Sequence, residues 1–281
     1  MAHRAFDIRY PEIRQTVERA QPRSILDIGP AGGGFARSLS DLAPVTAIDV
    51  RDHRWDPHPN VDWQVRALDA DAIGKLPPYD VVLALSVLHH MSDWRDALRE
   101  IRKLARRLVI VEVPHPDERL TTPAARNELG DLYAEVIRAT IDTLAVSPST
   151  RQPDEFSRLT QAVAPLIVGT VTDGGGYHAG TQQRIGDAFE QVLGYRPYPG
   201  SLNVRTDRIL ELVNPEAQVV DADRGGRIFR LWPCRLRGVP APCHLMTWRT
   251  PPARPVLEVL SPVRLRDHLD GDEVEIEVLA C

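Results

Sequence analysis

The chain has 281 residues, of which 43% are hydrophobic and 26% charged, so it is long enough for one large domain or two ordinary ones and too apolar to be wholly disordered. Its net charge of −5 gives no reason to expect general nucleic-acid binding. No apolar run approaches the ~18 residues of a membrane span, no signal peptide is visible, and the three cysteines are too scattered for a disulfide framework or a zinc site. These features predict a cytoplasmic protein whose partners are small molecules, with neither nucleic acid nor membrane among them.

The first half of the chain alternates between short apolar runs and segments with helical spacing, which predicts a parallel sheet with helices on both faces. The predicted strands are Ser24–Ile28, Val45–Val50, Val61–Val65, Tyr79–Leu85 and Leu108–Val113. The predicted helices are Phe35–Asp41, Asp93–Leu104 and Ala125–Leu144.

A change of texture follows near Ser147–Asp154, where serine, proline and charged residues predict a linker. Beyond it, strands separated by proline and glycine turns dominate, which is typical of a small closed barrel. We therefore predict three parts, with residues 1–150 as the first domain, 151–165 as a linker and 166–281 as the barrel. The barrel strands are predicted at Ile167–Thr172, Ser201–Thr206, Gln218–Ala222, Arg227–Leu236, Cys243–Trp248, Val256–Leu260 and Glu273–Leu279, and its helices at Gln182–Leu193 and Arg264–Leu269.

A glycine-rich turn follows the first predicted strand, in the run Ile25-Leu-Asp-Ile-Gly-Pro-Ala-Gly-Gly-Gly34. Its glycines let the backbone approach a ligand closely, and the helix after it presents free amide groups. Asp27 is a poor neighbour for a phosphate but a good one for a cationic amino group. Asp49 ends the next strand, where a carboxylate can accept both hydroxyls of a ribose, and Asp69 is suitably placed for an adenine amino group.

This set of residues resembles the class I S-adenosylmethionine (SAM)-dependent methyltransferases over about Ser24 to Pro114. The resemblance implies a Rossmann-like fold in which Asp27, Gly29 and Gly32 line the methionine part of SAM. It also implies that Asp49 binds the ribose and Asp69 the adenine, and that Leu85 and Ser86 border the methyl group. A structural glycine turn in another doubly wound domain is the alternative interpretation.

Two features qualify this resemblance. The family usually continues with two further strands at an antiparallel edge, whereas here only the helix Ala125–Leu144 is predicted, so the methyl acceptor cannot be read from the sequence. His89 and His90 lie beside the expected cofactor site and could serve as a base, although such a pair is more often packed or solvated.

The second half offers a phosphoryl-transfer site without lysine. The chain has only two lysines, Lys75 and Lys103, and neither follows a glycine-rich loop as the phosphate-binding lysines of common kinases do. Ser201 and Asn203 alternate on a predicted strand, so that a hydroxyl and an amide oxygen share one face and can serve as Mg²⁺ ligands. The run Gly169-Thr-Val-Thr-Asp-Gly-Gly-Gly-Tyr177 ends in a turn whose amides could hold phosphates.

From about Val168 onward the chain is similar to the archaeal-type CTP-dependent riboflavin kinase family, which has a cradle-loop barrel. The shared motifs are Gly194-Tyr-Arg-Pro-Tyr-Pro-Gly-Ser-Leu-Asn-Val204, Gly226-Arg-Ile-Phe229, Val256-Leu-Glu-Val-Leu-Ser-Pro-Val-Arg-Leu-Arg266 and Asp270-Gly-Asp-Glu-Val-Glu-Ile276.

That resemblance implies a role for each matching position. The metal pair is Ser201 and Asn203, and the acceptor contacts are Thr250 and Glu258, with Glu258 orienting the ribityl hydroxyl or accepting its proton. A surface carboxylate is the alternative for Glu258. The implied nucleotide contacts are Thr172, Asp173, Gly174, Gly175, Gly176 and Tyr177 in one stretch and Val263, Arg264, Leu265 and Arg266 in another.

The family usually has threonine where Ser201 stands, and its glycine loop is about two residues longer and carries an acidic residue, so the choice of CTP stays open. The leading hypothesis is a bifunctional enzyme that uses Mg²⁺ and CTP to phosphorylate riboflavin and SAM to methylate a small molecule. The alternatives are action on a non-flavin specialised metabolite, and a sensor that binds flavin or nucleotide and SAM without catalysis.

Overall fold

The computed structural model describes residues 6–114, 116, 128–143, 158–173, 180, 183–207, 212, 215–221, 226–248 and 254–279. Its internal contacts divide the chain into two compact units, Met1–Pro165 and Leu166–Cys281. Within the described ranges, the helices all fall short of the length and apolar character that a membrane span requires.

The first unit is an α/β layer structure, as predicted. Its strands are β1 Ile25–Ile28, β2 Val45–Asp49, β3 Val61–Val65, β4 Tyr79–Leu85, β5 Ala105–Pro114, β6 Thr140–Thr143 and β7 Arg158–Val163. Its helices are α1 Phe6–Arg19, α2 Gly34–Leu39, α3 Ala70–Gly74, α4 Trp94–Leu104 and α5 Leu129–Ala139, and a 3₁₀ turn spans Leu88–His90.

These strands form one sheet in the order β3-β2-β1-β4-β5-β7-β6. The first five are parallel, and β7 runs antiparallel to both β5 and β6. One face packs against α3, α4 and α5 through a core that includes Ile73, Leu98 and Leu132. The other face packs against α1 and α2, where Ile13 and Leu39 are fully buried. This arrangement brings the carboxyl ends of β1, β2 and β4 to one edge of the sheet.

The end of this unit corrects two predictions. The predicted helix Ala125–Leu144 ends at Ala139, because Thr140 is extended and begins β6, in which three of the four residues are β-branched. Residues 158–163, predicted to lie in the linker, form β7, in which Ala162 and Val163 are buried. The antiparallel edge, which was not predicted from the sequence, is therefore present and is formed by β6 and β7.

The second unit is an antiparallel barrel. Its strands are β8 Leu166–Thr172, β9 Leu202–Thr206, β10 Ala217–Asp221, β11 Arg227–Leu236, β12 Cys243–Thr247, β13 Val256–Leu260 and β14 Glu273–Val278. Helix α6 spans Gly186–Leu193 and ends at Gly194, whose φ of 73° is typical of a glycine C-cap. A 3₁₀ turn covers Leu265–His268, inside the predicted helix Arg264–Leu269.

Six of these strands close into a ring, β11-β12-β13-β9-β8-β14, because β14 pairs with both β8 and β11. The interior holds the alternate apolar residues of the strands, among them Val204, Trp232 and Val259. A second apolar cluster lies outside the ring, where Phe189 of α6 packs against Phe229 of β11. The predicted combination of a Rossmann-like domain and a small barrel is thus confirmed.

Candidate functional site

The glycine turn of the first unit is built against the ends of three strands. Gly29 has φ of 70°, its amide donates to the carbonyl of Ile48 at 2.8 Å, and a Cβ atom placed on it would lie 2.7 Å from Val87. Gly33 also has a positive φ, and its Cβ would lie 2.5 Å from the ring of Trp63. Gly32 differs from both, since a Cβ there would meet no atom within 4 Å. The turn is tightly packed at its ends and open at its centre, as a ligand loop requires.

Asp27 lies at the floor of this turn and is almost completely buried. Its Oδ2 atom has no hydrogen-bond partner. Burial, and then the nearby charge of Asp49, raise the pKa of Asp27 to about 7, against an opposing hydrogen bond from the backbone of Ala36. A buried carboxyl with an unsatisfied oxygen is costly unless a partner arrives, and a cationic group is the partner that would satisfy it best.

Asp49 ends β2 beside the same turn and is held in a fixed orientation. Its Oδ1 accepts from the amide of Arg51 at 3.0 Å, and its Oδ2 accepts from the amide of Ala31 at 3.2 Å. The Nε2 atom of His53 lies 3.4 Å from Oδ2. Asp49 and Asp27 stand at the ends of neighbouring strands, as the sequence predicted.

The other predicted contacts flank this centre. Asp69 is exposed and caps α3, where its Oδ1 accepts from the amide of Ala72 at 2.8 Å. Leu85 ends β4, and the hydroxyl of Ser86 after it donates to the buried carboxylate of Glu112.

The histidine pair lies on the 3₁₀ turn after β4. His89 is buried and His90 is exposed, and their ring centroids are 3.9 Å apart.

Sequence reasoning missed several residues around this edge. Val50 is 58% exposed and Val65 is 53% exposed, at the adjoining ends of β2 and β3. Trp55 stacks on Trp63 with a centroid distance of 4.8 Å, and its Nε1 donates to the carbonyl of Ala31 in the glycine turn. An apolar residue directly after an acidic strand end was the available signal for Val50. No local pattern marks the tryptophan pair, because its members come from different segments.

The second unit aligns three oxygen-bearing side chains across neighbouring strands. Thr172 of β8 is opposite Asn203 of β9, which is opposite Glu258 of β13. Directly opposed residues of antiparallel strands project to the same face. Their neighbours Leu202, Val204 and Leu257 are buried in the interior, so the three half-buried polar side chains face outward.

Ser201 joins this row from the residue before β9. Its Oγ donates to Glu258 Oε2 at 2.9 Å. Ser201 and Asn203 therefore share a face, as their alternation predicted, and Glu258 lies within reach of both. Hydroxyl, amide and carboxylate oxygens form a donor set suited to Mg²⁺, which prefers few protein ligands together with phosphate oxygens and water. Among the described residues no cluster of three or more histidine, cysteine or acidic side chains is arranged for a metal.

A salt bridge connects the two predicted nucleotide-binding stretches. The guanidinium of Arg266 lies 3.7 Å from the carboxylate of Asp173 and 3.2 Å from that of Asp272. Arg264 is exposed and Val263 half-buried, whereas Leu265 turns its side chain into the barrel core. Gly174, Gly175, Gly176, Tyr177 and Thr250 lie outside the described residues.

Comparisons with known proteins agree with this division. Residues 1–145 match the family model described as "Methyltransferase domain". Residues 171–278 match a model named for CTP-dependent riboflavin kinase and described as "Domain of unknown function DUF120".

Several curated relatives are riboflavin kinases of archaea. The chain is 37% identical to the riboflavin kinase of Methanospirillum hungatei over 128 residues, which cover 40% of this chain and 57% of that protein. It is 30% identical to the riboflavin kinase of Thermococcus kodakarensis over 159 residues, which cover 52% of this chain and 71% of that protein. The chain thus spans little more than half the length of the first of these relatives.

Among solved structures, the chain is similar to the N-methyltransferase NodS of Bradyrhizobium japonicum in complex with S-adenosyl-L-homocysteine. The TM-score is 0.39 and the identity 16%, with 54% of this chain and 85% of that chain covered.

Proposed function

Because the chain belongs to the methyltransferase-domain family through residues 1–145 and to the riboflavin kinase family through its second unit, we propose that it is a bifunctional small-molecule enzyme. The second unit transfers a phosphoryl group from CTP to the primary hydroxyl of riboflavin, giving FMN and CDP. The first unit transfers the methyl group of SAM to a small molecule.

The row formed by Thr172, Ser201, Asn203 and Glu258 is the observation that supports the kinase assignment best. In this proposal Ser201 Oγ and the amide oxygen of Asn203 hold Mg²⁺. The ion, when bound, offsets the negative charge of the triphosphate. No lysine is available for that task, since the chain's two lysines lie in the other unit.

Glu258 acts at the acceptor side of this row. It orients the ribityl hydroxyl and takes its proton as the oxygen attacks the γ-phosphorus and CDP leaves. Ser201 donates to Glu258, and its oxygen would also hold the ion, so the serine would link the metal position to the carboxylate that takes the proton. Asp173 and Val263 to Arg266 belong to the nucleotide side, where Leu265 contributes only backbone because its side chain is in the core.

The test is incubation of the full chain with riboflavin, Mg²⁺ and either CTP or ATP, with FMN measured by chromatography. We expect FMN with CTP, at least a hundredfold less with Asn203→Ala, and unchanged FMN formation with Gln218→Ala, an exposed position of β10. Absence of FMN with every nucleotide would remove the riboflavin kinase proposal. Binding of riboflavin without turnover would favour the sensor alternative.

The first unit supports SAM binding through its unsatisfied carboxyl and its open turn. Asp27 binds the cationic amino group of SAM, and Asp49 binds the ribose hydroxyls. The open space beside Gly32 lets the ligand lie against the backbone of the turn. Val50 and Val65 present apolar surface where the adenine would lie, with Asp69 at its edge. SAM, when bound, supplies the methyl group.

Calorimetry of SAM binding to the full chain tests this site. Asp49→Ala should weaken binding at least thirtyfold, since a charged hydrogen-bond acceptor is lost. Asp52→Ala is the matched control, because Asp52 is exposed in the same loop and accepts from the amide of Arg54. Equal binding by both variants would refute the assignment of Asp49.

A further inference from the structure

A fully buried carboxylate lies on β5, next to the end of β4. Glu112 of β5 has no solvent-exposed surface, and each of its carboxylate oxygens accepts a hydrogen bond from a hydroxyl group. Ser86 Oγ donates to Oε1, and Thr160 Oγ1 of β7 donates to Oε2 at 3.0 Å. Neither the kinase nor the SAM contacts described above use this group. Burying a carboxylate has an unfavourable desolvation free energy, so a group buried in this way is a candidate for a functional role.

The residue held by Glu112 has an unusual backbone. Ser86 has φ of 58°, in the left-handed region that non-glycine residues rarely adopt. Two bonds from β5 hold it there, since its amide donates to the carbonyl of Glu112 at 3.0 Å and its hydroxyl donates to the carboxylate. Backbone strain of this kind persists where the surrounding structure enforces it, commonly at functional sites.

This bend lies beside the glycine turn of the proposed SAM site. β4 pairs with β1, with Ala84 opposite Ile28, so Ser86 follows β4 where Gly29 follows β1. Val87 contacts Gly29 closely enough to exclude a Cβ atom there.

The two aspartates of the proposed site lie at different distances from this bend along the sheet. Asp27, with its unpaired oxygen, belongs to β1, which is next to β4, whereas Asp49 belongs to β2, on the side of β1 away from β4. The ribose side and the amino-acid side are thus separated along the sheet.

We propose that Glu112 is a positioning residue that fixes the bend at Ser86 against the amino-acid part of the bound cofactor. This inference rests on the proposed SAM site. Through its two bonds to Ser86, Glu112 directs the backbone polar groups at the end of β4 toward the ammonium and carboxylate of the ligand. The nucleoside part of the ligand lies over β2 and β3 and does not depend on Glu112.

The test compares two ligands that differ only in the amino-acid part. S-adenosylhomocysteine carries it and 5′-methylthioadenosine lacks it. Calorimetry with the full chain should show that Ser86→Ala weakens S-adenosylhomocysteine about tenfold, the effect of losing one hydrogen bond to a charged group. Glu112→Gln keeps an acceptor oxygen for Ser86 but loses the charge, so it should weaken S-adenosylhomocysteine by a smaller factor. Both variants should change methylthioadenosine less than twofold. The double variant should bind S-adenosylhomocysteine no more weakly than Ser86→Ala alone, because both changes act on the same interaction.

A merely structural role would weaken both ligands equally or neither, and either outcome overturns the inference while leaving the SAM site intact. If the unaltered chain binds neither ligand, the proposed methyltransferase function fails and the inference fails with it. Ser86→Ala keeps the carboxylate in place, so it remains informative if Glu112→Gln does not fold. Asp52→Ala, which lies away from β4 and β5, should leave the ratio of the two affinities unchanged.

Discussion

Asp27 couples the proposed cofactor site to pH. Its pKa of about 7 in the free protein means that the carboxyl is largely neutral below that pH and cannot attract the ammonium group of SAM. We expect SAM affinity to fall by up to tenfold per pH unit as the pH decreases below about 7. Calorimetry from pH 6 to pH 7.5 measures this slope, and Asp27→Asn should bind weakly with a flat profile. A steep slope that survives in Asp27→Asn would assign the titration to another group.

The same group affects stability in the free protein. Because the folded pKa is raised from 3.8 to about 7, the folded state keeps a proton that the unfolded state releases within this window. The free energy of unfolding should therefore decrease as pH rises from about 4 to about 7, by up to about 1.4 kcal/mol per pH unit from this residue. Urea unfolding at several pH values should show a smaller decrease in Asp27→Asn. An identical decrease in both proteins would contradict the buried, unpaired state of Asp27.

Substitutions at Gly32 and Gly33 should have different effects, the first on ligand binding and the second on folding. Gly32→Ala adds a methyl group where the protein has no atom within 4 Å, so the free energy of unfolding should change by less than about 0.5 kcal/mol. SAM affinity should fall at least tenfold, because the methyl group occupies space that the ligand needs. Gly33→Ala meets Trp63 and a positive φ, so it should lower stability by about 2 kcal/mol or more. Thermal denaturation and calorimetry of the two variants distinguish these effects. Unchanged SAM binding by Gly32→Ala would place the ligand elsewhere.

At the scale of elements, β7 decides where the first unit ends. Val163 of β7 is fully buried in the core of the first unit, although a linker was predicted at this position. Val163→Ala should reduce the free energy of unfolding by about 2 kcal/mol through lost burial and a small cavity. Ile137→Ala, which truncates a half-exposed side chain on α5, should cost less than about 0.5 kcal/mol. Denaturation followed by circular dichroism measures both, and equal effects would indicate that β7 is not part of the sheet.

At the scale of the whole molecule, each apolar core cluster of the described residues lies within one unit. The two proposed sites should therefore be separable by single substitutions in the full chain. Asp49→Ala should weaken SAM binding at least thirtyfold and leave FMN formation within twofold of the unaltered protein. Asn203→Ala should lower FMN formation at least a hundredfold and leave SAM affinity within twofold. Parallel calorimetry and FMN assays measure both activities in each variant. Loss of both activities from either substitution would show that the sites are coupled.

The sequence by itself determined the features that depend on neighbouring residues. Alternation along one strand sets Ser201 and Asn203 on a common face, and the glycine turn between Ile28 and Gly34 needs only local backbone freedom. The turn after α6 was predictable for the same reason, because Gly194 ends its own helix. Composition and period likewise indicated a parallel sheet followed by a barrel.

Only the tertiary structure decided which distant segments meet. It paired β7 with β5, placed Glu258 opposite Asn203, and closed the barrel through β14 and β11. It also buried Asp27 beside Asp49 and set Glu112 beneath Ser86. Strand pairing and burial are set by the summed packing of the whole unit, so no local pattern carries them, and a pKa that depends on burial emerges only once the chain has folded.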